Sequence, residues 1–268
     1  MAGSVFIAAI SSDIGGQLAR LYRARGCDVV GTYRSEDNLE ALRSDPAIRL
    51  LPCDISDPAS IATAAAQFAA LDRPWETFIS AVGQLSPIGD FFTSGIDDWS
   101  ASVWLNSVAQ LQLLHAIFPY RKSATISKVG FLVGGGINGP FTSYSAYCLG
   151  KIMLVKMCEL LDDEYPDIHT IAVGTGWVDT KIHRQTLAAS LQAGSNYQRT
   201  VDMLASGQQT TSYQDIFDCI DWCFGQPRQA TGGRNFSVVH DAWRRDPEGL
   251  SKNLLHDSNR YKLRRHGN

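Results

Sequence analysis

Along this chain, short apolar runs rich in Val, Ile, Phe and Leu alternate with longer segments whose apolar positions recur every three or four residues. The short runs predict strands at residues 4–10, 27–33, 48–51, 77–81, 128–133, 168–173 and 235–239. The longer segments predict helices at 15–25, 59–70, 99–118, 147–161 and 213–224. Several strand runs are apolar throughout, as expected of strands buried on both faces of a parallel sheet. Alternating strands and helices imply right-handed βαβ units. The predicted class is therefore α/β: a doubly wound parallel sheet of about seven strands, with Rossmann dinucleotide-binding topology and helices on both faces. A single domain over residues 1–268 is expected, its core at about 4–240 and a basic C-terminal extension at 241–268.

Composition narrows this reading. With 268 residues, 44% hydrophobic and 19% charged, the chain can bury a large core without disulfide or metal staples. A formal net charge of −3 gives no reason to expect nucleic acid or a membrane surface as partner. The first residues, MAGSVFIAAISS, lack a basic leading region and run straight into a turn, so they read as a strand rather than a signal peptide. No apolar stretch approaches the ~18 residues of a membrane span. The six cysteines are scattered; Cys219 and Cys223 share only helical spacing, so reduced thiols and a cytoplasmic location are expected.

In such sheets, ligands bind beyond the carboxyl ends of the strands, where the strand order reverses. The candidate chemistry falls at those ends. The turn Ala9-Ile10-Ser11-Ser12-Asp13-Ile14-Gly15 joins the first strand to the first helix. A dinucleotide site needs a tight turn and helix N-terminal amides there, although a plain strand-to-helix turn reads the same way. Asp13 sets a carboxylate near expected phosphates, which is unfavourable unless it caps a backbone amide. After the second strand, Tyr33 stands where an NAD enzyme carries an acid for the ribose hydroxyls, and Arg34 follows. An arginine there suits a 2′-phosphate through charge-assisted, bidentate bonds, so NADP(H) is the expected cofactor; a solvated surface arginine is the alternative. Tyr147 and Lys151 in Tyr147-Cys148-Leu149-Gly150-Lys151 are four apart, on one helical face. A lysine ammonium beside a phenol favours the phenolate and lowers its pKa from ~10, which suits proton transfer to or from an alcohol oxygen.

The order of these elements resembles the short-chain dehydrogenase/reductase family over about residues 4–240, as an atypical member. The first turn is similar to that family's TGxxxGxG, with Ala9 and Asp13 replacing two glycines while Ser11, Ser12, Ile14 and Gly15 match. The resemblance implies adenine contact at Asp54-Ile55; a cap on the helix near Pro58 is the alternative for Asp54. It also implies a nicotinamide-ribose wall at Ala81-Val82-Gly83, where the family has NNAG. Asn106 matches the asparagine whose implied role is to hold a water linking the lysine to solvent; an ordinary mid-helix amide is the alternative. Gly176, Val178 and Thr180 match PGxVxT, with Thr180 implied to contact the nicotinamide carboxamide and Thr175 replacing the proline.

The family places a substrate-holding serine about thirteen residues before the tyrosine; here that position is Gly134 in Val133-Gly134-Gly135-Gly136. Asn138, Thr142 and Ser143 are the nearby replacements. Restoring a hydroxyl at 134 would then raise turnover, or lower it if the glycines make room for a bulky substrate. The implied activity is hydride exchange between a carbonyl and an alcohol, with Tyr147 as proton donor assisted by Lys151 and Asn106. The C-terminal part resembles family members of bacterial surface-polysaccharide pathways, which points to a sugar or sugar derivative. Two alternatives stand beside this: an enoyl-thioester reductase using Tyr144 and Lys151, and a catalytically silent NADP(H)-binding regulator. The family also implies a homodimer or homotetramer, with Leu149, Met153, Met157 and Leu160 as a contact face, unless those residues are core.

Overall fold

A computed structural model describes residues 3–37, 39–206 and 210–265. Seven strands form one parallel sheet: β1 (Ser4–Ala8), β2 (Asp28–Tyr33), β3 (Ile48–Pro52), β4 (Thr77–Ser80), β5 (Ser127–Val133), β6 (Ile168–Gly174) and β7 (Arg234–Ser237). Their order is β3-β2-β1-β4-β5-β6-β7, so the chain reverses direction across the sheet between β1 and β4. All seven lie within two or three residues of the runs read from sequence.

The first helices are α1 (Asp13–Ala24), α2 (Glu40–Arg43), α3 (Pro58–Ala69), α4 (Ile96–Asn106), α5 (Val108–Ile117) and α6 (Ser145–Glu164). They are followed by α7 (His183–Ala189), α8 (Ser195–Ser206), α9 (Tyr213–Gly225), α10 (Arg228–Thr231) and α11 (Pro247–His256). One sheet face packs on Leu18 and Ala19 of α1, Phe217 and Ile220 of α9, and Leu250 and Leu254 of α11. The other packs on Ile61 and Phe68 of α3, Leu113 and Ile117 of α5, and Leu154 and Val155 of α6. Burial from both sides explains why β1 reads as an apolar run after Ser4 and why every residue of β4 is buried.

The structure corrects two features of the expected fold. The single helix expected over 99–118 is two, interrupted at Ser107, whose φ of −140° and ψ of −85° are not helical. Its hydroxyl donates to the Val103 carbonyl one turn back, the kind of back-bonding that bends helices. The expected basic extension is instead packed, with Trp243, Leu250 and Leu254 buried. Arg234, itself buried at 2% exposure, donates to the carbonyls of Leu254, Asp257 and Arg260 and holds that segment to β7. Arg244 pairs with Asp215 and Asp218, and Arg264 with Glu159, so these tail cations are engaged within the chain. His266, Gly267 and Asn268 of that predicted extension lie outside the described residues. Among the described residues, no helix is long and apolar enough to cross a membrane.

Candidate active site

A cleft of about 1060 Å³ opens beyond the carboxyl ends of the strands, at the point where the strand order reverses. Ser11, Ser12, Asp13 and Ile14 line one end of it. The turn is tight even though a glycine is missing: Ala9 takes a positive φ of 61°. The Ala9 N–H donates to Thr32 Oγ1 at 3.3 Å and the Ile10 N–H to the Thr32 carbonyl at 2.8 Å, which ties the turn to β2. Ser12 caps α1 by accepting the Gly15 N–H at 3.0 Å. Any Cβ on Gly15 would overlap the Ala9 carbonyl, so the glycine retained there is required by close approach. Asp13 accepts the Lys181 N–H at 2.7 Å, from the segment after β6, so its carboxylate caps a backbone amide across the cleft.

Arg34, Asp54 and Ile55 also line this end, with Arg34 exposed. Burial acts to raise the Asp54 carboxyl pKa, but the hydroxyl and N–H of Ser56 outweigh it, with the Arg34 charge adding a smaller pull. Asp54 therefore stays below the usual carboxylate range, while Asp57 is the residue that caps α3. Tyr33 does not line the cleft. Alternation along β2 turns Thr32 and Arg34 toward it and Tyr33 away, where its ring meets the Arg43 guanidinium at 5.9 Å.

The middle of the cleft is formed by Ala81, Val82, Gly83, Tyr147 and Lys151. Lys151 is buried at 2% exposure and donates to the carbonyls of Val82 at 2.7 Å and Leu132 at 2.9 Å. Burial pushes its pKa down to about 7. Its ammonium lies 5.8 Å from the centre of the Tyr147 ring. Tyr147 does not carry the lowered pKa expected from sequence. Burial first, and the neighbouring Cys148 second, hold its phenol well above the usual range. At neutral pH it is a protonated acid.

Its hydroxyl lies against Gly134, so closely that a Cβ at that position would overlap it. The space a serine side chain would need is thus filled by the tyrosine itself. At Gly136, φ is +91° and a Cβ would strike Cys148 Sγ, so this turn requires glycine on two counts.

Asn106 does not line the cleft. Fully buried, it accepts the Gln84 N–H at 3.1 Å and donates its amide hydrogens to the carbonyls of Gln84 at 2.8 Å and Ser102 at 3.0 Å. Its side-chain donors are engaged, so it holds the loop after β4 instead of offering its amide to a water. Gly150 lets α6 approach it, since a Cβ there would come within 2.6 Å of Asn106 Cβ.

Gly176, Val178 and Thr180 line the far wall, with Gly176 at φ +72°. The segment after them was not singled out in the sequence. Gln185 of α7 accepts the N–H groups of Leu85 and Ser86 at 2.9 and 3.0 Å. Tyr144, fully buried, donates to Thr186 Oγ1 at 2.9 Å and stacks on Phe141. His183 stacks on Trp177 at 3.7 Å, its pKa lowered by burial. With Asn196, Arg199 and Met203 of α8, these residues close the cleft beside Tyr147. Apart from Tyr144, no motif read from the sequence marks them, and α7 and α8 were not among the predicted helices.

The tight turn, the cation at Arg34 and the volume of the cleft fit a dinucleotide. Residues 8–210 match the family described as enoyl-(acyl carrier protein) reductase. An uncharacterised oxidoreductase of Schizosaccharomyces pombe is 27% identical over 161 residues, 59% of this chain and 63% of the relative, so the match spans less than two-thirds of that protein. A dehydrogenase/reductase SDR family protein 7-like from Anopheles gambiae is 26% identical over 219 residues, 76% of this chain and 67% of the relative. Among solved structures, a short-chain dehydrogenase/reductase from Saccharomyces cerevisiae is similar with TM-score 0.79 at 17% identity, over 91% of this chain and 98% of that one. The KRED1-Pglu enzyme is similar with TM-score 0.78 at 19% identity, over 87% and 99% of the two chains. At such identities the solved structures speak for the fold.

Proposed function

Because the chain belongs to the short-chain dehydrogenase/reductase family, whose members use nicotinamide dinucleotides, we propose that it is an NADP(H)-dependent reductase of a small-molecule carbonyl compound. The observation that carries this reading is the Tyr147 hydroxyl: protonated, without a hydrogen-bond partner among the described residues, and lining the cleft one helical turn from Lys151. Ser11, Ser12 and Ile14 would hold the pyrophosphate, with Arg34 on the 2′-phosphate and Asp54 and Ile55 at the adenine. Ala81 to Gly83, Gly176, Val178 and Thr180 would hold the nicotinamide half. When bound, the cofactor supplies the hydride. Tyr147 gives its proton to the substrate oxygen as that oxygen gains negative charge, and cationic Lys151 stabilises the resulting phenolate. Asn106 acts as a positioning residue, through the Gln84 backbone.

The enoyl-thioester reading draws support from the description of the matching family, and would make Tyr144 the acid. Against it, the Tyr144 hydroxyl is already engaged with Thr186. Tyr147→Phe should remove nearly all turnover while NADPH binding stays close to normal, with Tyr144→Phe the milder change. The reverse ranking, measured by steady-state kinetics on ketone and enoyl-thioester panels, would favour the second reading. Absence of turnover on every panel would leave the silent regulator.

The cofactor choice has its own test. Arg34→Ala should weaken NADPH binding by about 1.5–3 kcal/mol, as for other hydrogen bonds to charged groups, and leave NADH nearly unchanged. Equal losses in a fluorescence titration would show that Arg34 does not read the 2′-phosphate.

A further inference from the structure

The charges lining the cleft are unevenly distributed. Its three carboxylates, Asp13, Asp37 and Asp54, follow the first three strands. Asp13 holds the Lys181 N–H, Asp54 holds Ser56, and Asp37 pairs with the Lys181 ammonium at 3.5 Å. From residue 81 onward the lining contains no carboxylate among the described residues, and its charged members are Lys151, Lys181 and Arg199. Lys151 is engaged by two carbonyls and Lys181 by Asp37. Arg199 has no hydrogen-bond or ion-pair partner among the described residues.

Its placement is set by α8. Asn196, Arg199, Thr200 and Met203 follow i, i+3, i+4, i+7 spacing, so one helical face is turned to the cleft. The start of that helix is tied to the loop before α6, where Asn196 donates to the Thr142 carbonyl at 3.1 Å and Gly194 lies beside Ser143. Five residues after Thr142, in the first turn of α6, the chain reaches Tyr147. Arg199 therefore overhangs the end of the cleft where the reacting carbonyl would lie, away from the turn between β1 and α1.

Resting on the reductase reading above, we propose that Arg199 receives an anionic group of the substrate, a carboxylate or a phosphate monoester, so that the preferred substrate is an anionic carbonyl compound. A guanidinium presents planar, paired donors that match either group bidentately. With no carboxylate in that part of the lining, and with Asp202 of the same helix engaged by Gln198, the substrate half of the cleft attracts negative charge, and neutral ketones lack the anchoring contact.

The test uses matched pairs with NADPH at saturation: levulinate against methyl levulinate, and hydroxyacetone phosphate against hydroxyacetone. The wild type should favour the anionic member of at least one pair. Arg199→Ala should lower kcat/KM for that member by about ten- to a hundred-fold, mainly through KM, and leave its neutral partner within about two-fold. Arg199→Lys should recover part of the loss, and NADPH affinity should not change. Preference for the neutral members, equal losses within a pair, or a parallel loss of NADPH affinity would each overturn the proposal.

If none of the four compounds is turned over, calorimetric titration of levulinate and of hydroxyacetone phosphate into the NADP⁺-loaded protein decides the matter. Binding that Arg199→Ala weakens at least about ten-fold upholds the anion site while the reductase reading falls. No binding, or binding indifferent to the substitution, overturns the anion site itself.

Discussion

Gly134 and Tyr147 must be understood together. Read alone, Gly134 is a position that lost a hydroxyl, and a serine there would seem a repair. In the folded protein the tyrosine hydroxyl occupies that volume, so Gly134→Ser must displace Tyr147 from the wall of the cleft. Overpacking of this kind costs about 1–3 kcal/mol. Turnover should fall by at least an order of magnitude, and calorimetry should register the destabilisation; a faster, equally stable variant would mean that Tyr147 stands elsewhere. Lys151 carries a second residue-scale consequence. Burial lowers its pKa to about 7, so it is cationic below that pH and neutral above it. The cation is the form that stabilises a phenolate on Tyr147, whereas burial keeps the phenol protonated to far higher pH. The reduction rate should therefore decline as pH rises through about 7, with no second step from Tyr147 up to pH ~9. A pH–rate profile that climbs from 7 to 9 would contradict this assignment.

At the scale of elements, the departures from expectation share a cause. The long amphipathic run ending near Phe118 has no glycine or proline to interrupt it, so its periodicity continues through Ser107. The break falls where Ser107 back-bonds to Val103 and where Asn106 grips Gln84, a residue more than twenty positions earlier that only the closed sheet brings near. Likewise, Asp246 and Pro247 carry a helix-start signal, and Asp246 does cap α11 by accepting the Gly249 N–H. The cations around it nonetheless read only as a basic extension outside the core, because their partners Asp215, Asp218 and Glu159 lie on α9 and α6. Charge along a segment does not say which charges will meet.

For the molecule as a whole, the apolar stripe on α6 is exposed except at Met157, which is half-buried. Leu149 is 47% exposed, Met153 41% and Leu160 43%, and Trp104 of the adjacent α4 is 38% exposed. So much apolar surface on two packed helices is what a self-association face requires. We expect a homodimer or homotetramer by light scattering at micromolar concentration, and dissociation to monomers when Leu149→Glu and Met153→Glu are combined. A monomeric wild type would rule this face out as a stable interface.

The strands, the tight turn after β1 and the placing of Tyr147 and Lys151 one helical turn apart were legible in the sequence because each is local. Strands declare themselves by apolar runs, turns by Gly15 and Ser12, and a helical pair by a spacing of four. What only the tertiary structure decided involves contacts between distant segments. Asp13 reaches Lys181 across 168 positions, the Gly134 vacancy is filled by Tyr147, and α7 and α8 roof the cleft with side chains that belong to no motif. The pKa values of Tyr147 and Lys151 also depend on burial. Spacing can set a phenol and an ammonium on one helical face, but how much water remains around them is determined by the packing of the whole sheet.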